Sequence, residues 1–154
     1  MASGVERSDP VVLSPLDALG GARAVYAGYL ALQAVGGVVL WLLIDGSSFV
    51  RSGFEIVPGR HNVTNAFFLA DVVVIATSAA SAWGLRAAKP WALAAAAFTA
   101  GGVVYPTAYL VQWAASNDGG AAPALVVMLV VSALTLWVLQ GAWRLERAGR
   151  APSS

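Results

Sequence analysis

The chain has 154 residues, of which 58% are apolar and 11% are charged, and its mean hydropathy is +0.72. Soluble domains carry charge on about a quarter of their residues, so this composition excludes an ordinary soluble protein and indicates an integral membrane protein. The net charge of +1 comes from basic residues scattered at the ends of apolar segments, which excludes nucleic acid as a partner. The absence of cysteine excludes disulfides, iron–sulfur clusters and thiol redox chemistry.

Four apolar segments are each long enough to cross a bilayer. A spanning helix needs about 20 residues, and we predict spans over residues 24–44, 63–85, 91–113 and 123–143. These segments lack the alternating pattern of membrane β-strands, so the predicted fold class is an all-α integral membrane protein. Residues 1–23 and 144–154 are predicted to be an N-terminal and a C-terminal tail.

The connections between the spans predict the topology. The short segments 87–91 and 117–123 should join neighbouring antiparallel helices, which gives a four-transmembrane-helix up-down bundle. The longer connection, 45–62, mixes Gly, Ser, Pro and charged residues with large apolar side chains. We expect it to form an ordered extracytoplasmic loop cap over the end of the bundle.

The basic residues predict the orientation. Seven of them flank one end of the spans and two, Arg51 and Arg60, flank the other, so the positive-inside rule places both termini in the cytoplasm. Arginine outnumbers lysine eight to one and alanine is abundant, which favours a multi-pass protein of the bacterial cytoplasmic membrane. The seven residues are Arg7, Arg23, Arg86, Lys89, Arg144, Arg147 and Arg150.

Asp71 is an acidic residue inside the second span, where a carboxyl group costs several kcal/mol and is by default a candidate functional group. On a straight helix from Asn62 it lies about 13 Å below the outer boundary. Residues seven apart nearly superpose on a helix, so Thr64, Asp71 and Ser78 form one polar line that should face the bundle interior.

Counting residues to the depth of Asp71 predicts its neighbours on the other spans. Tyr105 comes level with it in span 3, with Tyr109 a turn above, and Gln33 and Ser132 are the nearest polar residues of spans 1 and 4. The spacing of Gly102, Tyr105, Tyr109 and Gln112 predicts an interior seam of span 3. Pro106 should kink this span or free a carbonyl. We expect Tyr105 to hydrogen-bond Asp71.

These residues are open to several functional interpretations. Asp71 could hydrogen-bond Tyr105 or Ser132 only to lock the helices together. Alternatively, Asp71, Tyr105, Tyr109, Gln33, Ser132, Thr64 and Ser78 could line a ligand-binding or proton-handling pocket. The corresponding functions are a non-enzymatic accessory subunit of a membrane complex, a binder of a lipid- or quinone-like ligand, or a proton-coupled transporter. The alternative of an intramembrane enzyme has no nucleophile and base that spacing can assemble.

Partners and cofactors follow from the same composition. The lipid bilayer is the expected surrounding, with other membrane-protein subunits, a homo-oligomer or a hydrophobic small molecule as candidate partners. His61 is the one histidine, and no spacing typical of metal sites accompanies it, so no metal is predicted. Haem would need an axial histidine within the bundle, and we predict no cofactor.

Overall fold

The computed structural model describes residues 15–57, 60–117 and 122–149. The regular secondary structure of these residues is helical, and no strand occurs among them. Four segments are long and apolar enough to cross a membrane: Gly20–Gly46, Asn62–Arg86, Ala92–Ser116 and Ala122–Ala148. The prediction of an all-helical fold with four helices long and apolar enough to span a membrane is confirmed for the described residues. Residues 1–14 and 150–154 of the predicted tails, and residues 118–121 of the turn before span 4, lie outside the described residues. The helices are α1 Pro15–Gly46, α2 Ser48–Phe54, α3 His61–Asn65, α4 Phe68–Arg86, α5 Ala92–Ser116 and α6 Ala122–Gly149.

The second span is tightened near its beginning. The backbone stays in the right-handed helical region at Ala66 and Phe67, but the Phe67 amide donates to the Thr64 carbonyl at 3.1 Å, a 3₁₀-type bond. This tightened turn separates α3 from α4 and places Asp71 in the first turn of α4.

The four long helices form a bundle in which α4 packs against α1 and α5, and α5 packs against α6. The bundle is closed by a contact between α1 and α6 that is much less extensive than that between α1 and α4. Hydrogen-bonded or hydroxyl-paired side chains join neighbouring helices. Thr107 and Ser132 hydroxyls lie 2.8 Å apart between α5 and α6, and Ser81 and Thr99 hydroxyls lie 3.4 Å apart between α4 and α5. All four side chains are buried.

Two glycines allow α4 to approach its neighbours closely. A Cβ added at Gly37 of α1 would lie 2.6 Å from Ile75 Cγ1, and one at Gly102 of α5 would lie 2.8 Å from Val74 Cγ2. These distances are shorter than ordinary van der Waals contacts. A larger side chain at either position would therefore push the helices apart.

The predicted interior seam of α5 is wrong for its three large side chains, although Gly102 does face α4. Tyr105 is 75% exposed, Tyr109 is 39% exposed and Gln112 is exposed. Small and β-branched side chains occupy the interior instead, because they let neighbouring helices come closer than a phenol ring would. The helix continues through Pro106 to Ser116. The buried residues of α5 are Ala92, Ala96, Thr99, Ala100, Val103, Thr107 and Leu110.

Helix α2 folds back onto the end of α1. The Arg51 guanidinium donates to the carbonyl oxygens of Ile44 at 2.9 Å and Asp45 at 2.7 Å, which are among the last carbonyls of α1 and lack helical donors. Further along the connection, Ile56 is buried in a cluster with Leu110 and Ala124, near the end of α5 and the start of α6. We call this end of the bundle the α2 end.

The opposite end, which we call the turn end, contains the connection between α4 and α5. Ala88 has φ +49°, a left-handed conformation that costs energy for any residue with a Cβ. It allows the Lys89 amide to donate to the Gly84 carbonyl at 2.9 Å and the Ala88 amide to the Leu85 carbonyl at 3.2 Å. This is the usual hydrogen-bond pattern of a helix end at which glycine is preferred.

Replacing Ala88 with glycine should stabilise the protein by about 1 kcal/mol, because glycine adopts positive φ without the Cβ penalty. The unfolding free energy measured by SDS titration checks this. Ala87→Gly is the matched control, since Ala87 has φ −89° and should gain nothing. Equal effects of the two substitutions would contradict the strain at Ala88.

Gly37→Ala should lower the unfolding free energy by about 1–3 kcal/mol, because the new methyl group overlaps the Ile75 side chain. Gly36→Ala is the control on the adjacent position, where an added Cβ meets nothing within 4 Å. The measurement is thermal unfolding in detergent for both variants. If Gly36→Ala were the more damaging change, the close contact of α1 and α4 at Gly37 would be refuted.

Candidate functional site

A cleft of about 440 Å³ lies within the bundle and is lined by residues of α1, α4, α5 and α6. Most of the lining side chains are apolar, and Asp71 provides the carboxyl group. Leu32 of α1 and Leu134 of α6 line the cleft and are 69% and 42% exposed on the surface of the bundle. The cleft therefore reaches the outer surface of the bundle beside α1 and α6, the neighbouring pair of long helices with the least extensive contact.

The Asp71 carboxyl group is held by Trp41. The indole Nε1 donates to Asp71 Oδ2 at 2.9 Å, which joins α4 to α1. No described residue hydrogen-bonds the second oxygen, Oδ1. The expected pairing with Tyr105 is therefore corrected: the partner is Trp41, and Tyr105 points away from the interior because the inner face of α5 is formed by smaller side chains.

A second cavity, of about 80 Å³, lies toward the α2 end. It is lined by Thr64, Pro106 and residues at the ends of the spans, and it shares Trp41, Asp71 and Phe54 with the larger cleft. The Trp41–Asp71 pair thus stands between two spaces. Asp71 contributes to the walls of both.

Near the middle of the spans, three polar side chains of α1 and α6 meet. Thr135 Oγ1 lies 3.0 Å from Tyr29 Oη and 3.0 Å from Gln33 Oε1, and the Tyr29 hydroxyl donates to the Val131 carbonyl at 3.0 Å. Tyr29 and Gln33 also line the cleft. The Gln33 Nε2 atom is buried and has no hydrogen-bond partner in the described part of the chain.

The polar line of the second span is largely as predicted. Thr64 is 6% exposed, Ser78 is fully buried and Asp71 is partly buried. Ser78 lines the cleft and donates to the Val74 carbonyl at 2.7 Å, whereas the Thr64 hydroxyl is buried without a partner among the described residues. The line therefore faces the interior, with the three residues lining one or the other cavity.

The remaining candidate residues lie elsewhere. Ser132 is 7% exposed and its hydroxyl is paired with that of Thr107, so it belongs to the α5–α6 contact. Tyr109 packs against the rings of Phe67 and Trp113 near the α2 end. Neither Ser132, Tyr109 nor Tyr105 is among the residues that line the cleft.

Sequence reasoning missed Trp41. Tryptophan near a span end is typical of the membrane interface. This general explanation gave no reason to expect a hydrogen bond from the Trp41 indole N–H to Asp71. The depth estimate for span 1 counted backbone positions only, and neglected that an indole extends far from its helix axis. The available signal was the long side chain of Trp41, whose N–H donor lies within reach of the estimated depth of Asp71.

Chemistry that needs a metal finds no support in the described residues, since no group of three or more His, Asp or Glu side chains there could hold a metal ion. Comparisons of the chain with protein-family models, with curated proteins and with solved structures found no match. The geometry of the cleft is therefore the basis for a functional argument.

Trp41→Phe should lower the unfolding free energy by about 1 kcal/mol, because it removes the N–H donor while keeping an aromatic ring against Phe68. The control is Trp137→Phe, which shortens a half-exposed indole packed edge-on against Tyr26. Unfolding by SDS titration measures both. Equal losses would show that the Trp41–Asp71 hydrogen bond contributes nothing specific.

Proposed function

We propose that the protein binds a small lipid-soluble molecule in the cleft, with Asp71 as its polar contact. The observation that carries this proposal is the Asp71 Oδ1 atom, which has no hydrogen-bond partner among the described residues and belongs to the wall of a space of about 440 Å³ between the four long helices. Ligand sites are commonly apolar cavities with a few polar groups that fix orientation. A carboxyl group that served only to join α1 and α4 would not need such a space beside it.

Two unpartnered polar atoms support the same proposal. Gln33 Nε2 and Thr64 Oγ1 are buried without partners among the described residues, and each lies on a residue that lines one of the two cavities. Leaving a buried polar group unsatisfied costs about 1–3 kcal/mol, and native structures contain few such groups. A bound molecule or water would supply the missing hydrogen bonds after small rotations of these side chains.

The proposed setting is the cytoplasmic membrane of a bacterium, in an up-down bundle with both termini in the cytoplasm. Arg23, Lys89 and Glu146 line one cavity at the turn end, which supports placing the start of span 1, the 87–91 turn and the end of span 4 together. Arg51 and Ile56 attach the 45–57 segment to the ends of α1, α5 and α6. These contacts support a role for this segment as an extracytoplasmic cap.

A proton-coupled transporter is a second candidate. Its support is the position of Asp71 between the cleft and the cavity at the α2 end, because a transporting carboxyl group must exchange between two spaces. In such a protein the Asp71 group would change its protonation state during each cycle. Asp71→Asn would then abolish transport and its dependence on pH.

The binding proposal predicts that Asp71→Asn loses a co-purifying small molecule. The protein would be purified in mild detergent, extracted with organic solvent and analysed by mass spectrometry against the wild type. At least a tenfold loss of the molecule is expected, because one charge-assisted contact contributes about 1.5–3 kcal/mol.

Asp45→Asn is the matched control for this experiment. The Asp45 side chain is 95% exposed and lies outside the cleft, so its substitution should leave the extract unchanged. Gln33→Leu and Gln112→Leu form a second pair, because Gln112 is exposed and bonded to Ser116. Identical extracts from wild type and Asp71→Asn would refute a ligand site centred on Asp71.

A further inference from the structure

The polar atoms of the cleft indicate the chemical class of its ligand, an inference that rests on the proposed binding function. Three side-chain donors in the cleft wall are used within the protein: Trp41 Nε1 donates to Asp71, the Ser78 hydroxyl to Val74 and the Tyr29 hydroxyl to Val131. Gln33 Nε2 is the one side-chain donor of the cleft wall that has no partner among the described residues. The side-chain donors of the wall therefore leave only this amide for an acceptor group of a ligand.

Acceptors, in contrast, remain free. Asp71 Oδ1 has no hydrogen-bond partner among the described residues. Gly102 also lines the cleft, and its carbonyl lacks a helical donor because Pro106, four residues later, has no N–H. A ligand suited to these atoms must donate hydrogen bonds or carry positive charge.

The charge and the aromatic side chains favour a cation over a neutral donor. No Lys, Arg or His is among the residues that line the cleft or the adjoining cavity, so Asp71 has no cationic partner there. Trp41 and Phe54 line both spaces beside Asp71. Aromatic rings next to a carboxylate are the surroundings that ammonium groups prefer in proteins.

The route into the cleft suits a molecule with an apolar tail. Leu32 and Leu134 are exposed on the lipid-facing surface and continue into the cleft wall, between α1 and α6. A molecule dissolved in the bilayer can therefore reach the cleft sideways. Its apolar part would lie against leucine and valine side chains while its head lies at Asp71.

We infer that the ligand is a lipophilic amine or quaternary ammonium compound whose cationic head is held by Asp71, Trp41 and Phe54. The carboxylate supplies the counter-charge, and the rings replace part of the hydration shell of the head. A neutral quinone or ketone lacks both the charge and the donor that this set of groups favours.

The test compares two probes of the same shape. One is hexyltrimethylammonium, and the other is its neutral isostere with a tert-butyl group in place of the trimethylammonium. Binding is measured by equilibrium dialysis against the wild-type protein in dodecyl maltoside, a non-ionic detergent that carries no ammonium group, with empty micelles as blanks. We expect saturable binding of the ammonium probe at least about tenfold tighter than that of the isostere, since a desolvated cation–π contact alone contributes more than tenfold.

Two variants then test whether Asp71 causes the preference for the ammonium probe over its neutral isostere. Asp71→Asn should abolish the tenfold difference between the probes, whereas Asp45→Asn should keep it. Because the comparison of the two probes uses the wild-type protein, it stays decisive if Asp71→Asn fails to fold. Persistence of the preference in a folded Asp71→Asn variant would overturn the assignment to Asp71.

Three other results would overturn the cationic class of the ligand and leave the binding function standing. One is equal, saturable binding of both probes. Another is binding of neither probe by a protein that still co-purifies with an Asp71-dependent small molecule. A decyl-substituted benzoquinone that bound more tightly than the ammonium probe would assign the cleft to neutral carbonyl compounds instead.

Discussion

Contacts between helices in this bundle depend on close approach and on hydrogen bonds, because lipid leaves little hydrophobic gain from packing one apolar helix on another. A polar pair occurs at each contact between neighbours: Trp41–Asp71, Ser81–Thr99, Thr107–Ser132, and Thr135 with Tyr29 and Gln33. Glycines bring α4 close to α1 and α5. Small or polar residues therefore occur at the contact between each pair of neighbouring helices.

The position of the cleft reflects the unequal extent of the contacts between neighbouring helices. Helix α1 contacts α6 less extensively than it contacts α4, and the cleft lies beside this contact, lined by residues of both helices. Asp71 also lines the cleft and accepts a hydrogen bond from the Trp41 indole of α1. Asp71 thus joins α4 to α1 and also belongs to the wall of the cleft.

The sequence predicted the spans and the inward face of the second span, because hydropathy and the seven-residue repeat of Thr64, Asp71 and Ser78 are local properties. It failed for α5, where Gly102, Tyr105 and Tyr109 have the spacing of an interior seam but Ala96, Val103 and Thr107 have it too. Both of these faces of α5 are apolar, so the periodicity of the sequence does not show which one is buried. The face with the smaller side chains is buried because it allows the neighbouring helices to pack more closely. Trp41 was missed because helix depth counts backbone positions and ignores the reach of a side chain.

None of the polar pairs named above between the four long helices joins two opposite charges. They combine hydroxyl groups, an amide, and a carboxyl group with a neutral indole. The ion pair formed by Arg51 and Asp45 lies outside these contacts, at 3.7 Å and with Asp45 almost fully exposed. Dissolved salt weakens attractions between exposed charges and has little effect on uncharged donors and acceptors within hydrocarbon. The hydrogen bonds of these polar pairs should therefore change little with the ionic strength on either side of the membrane.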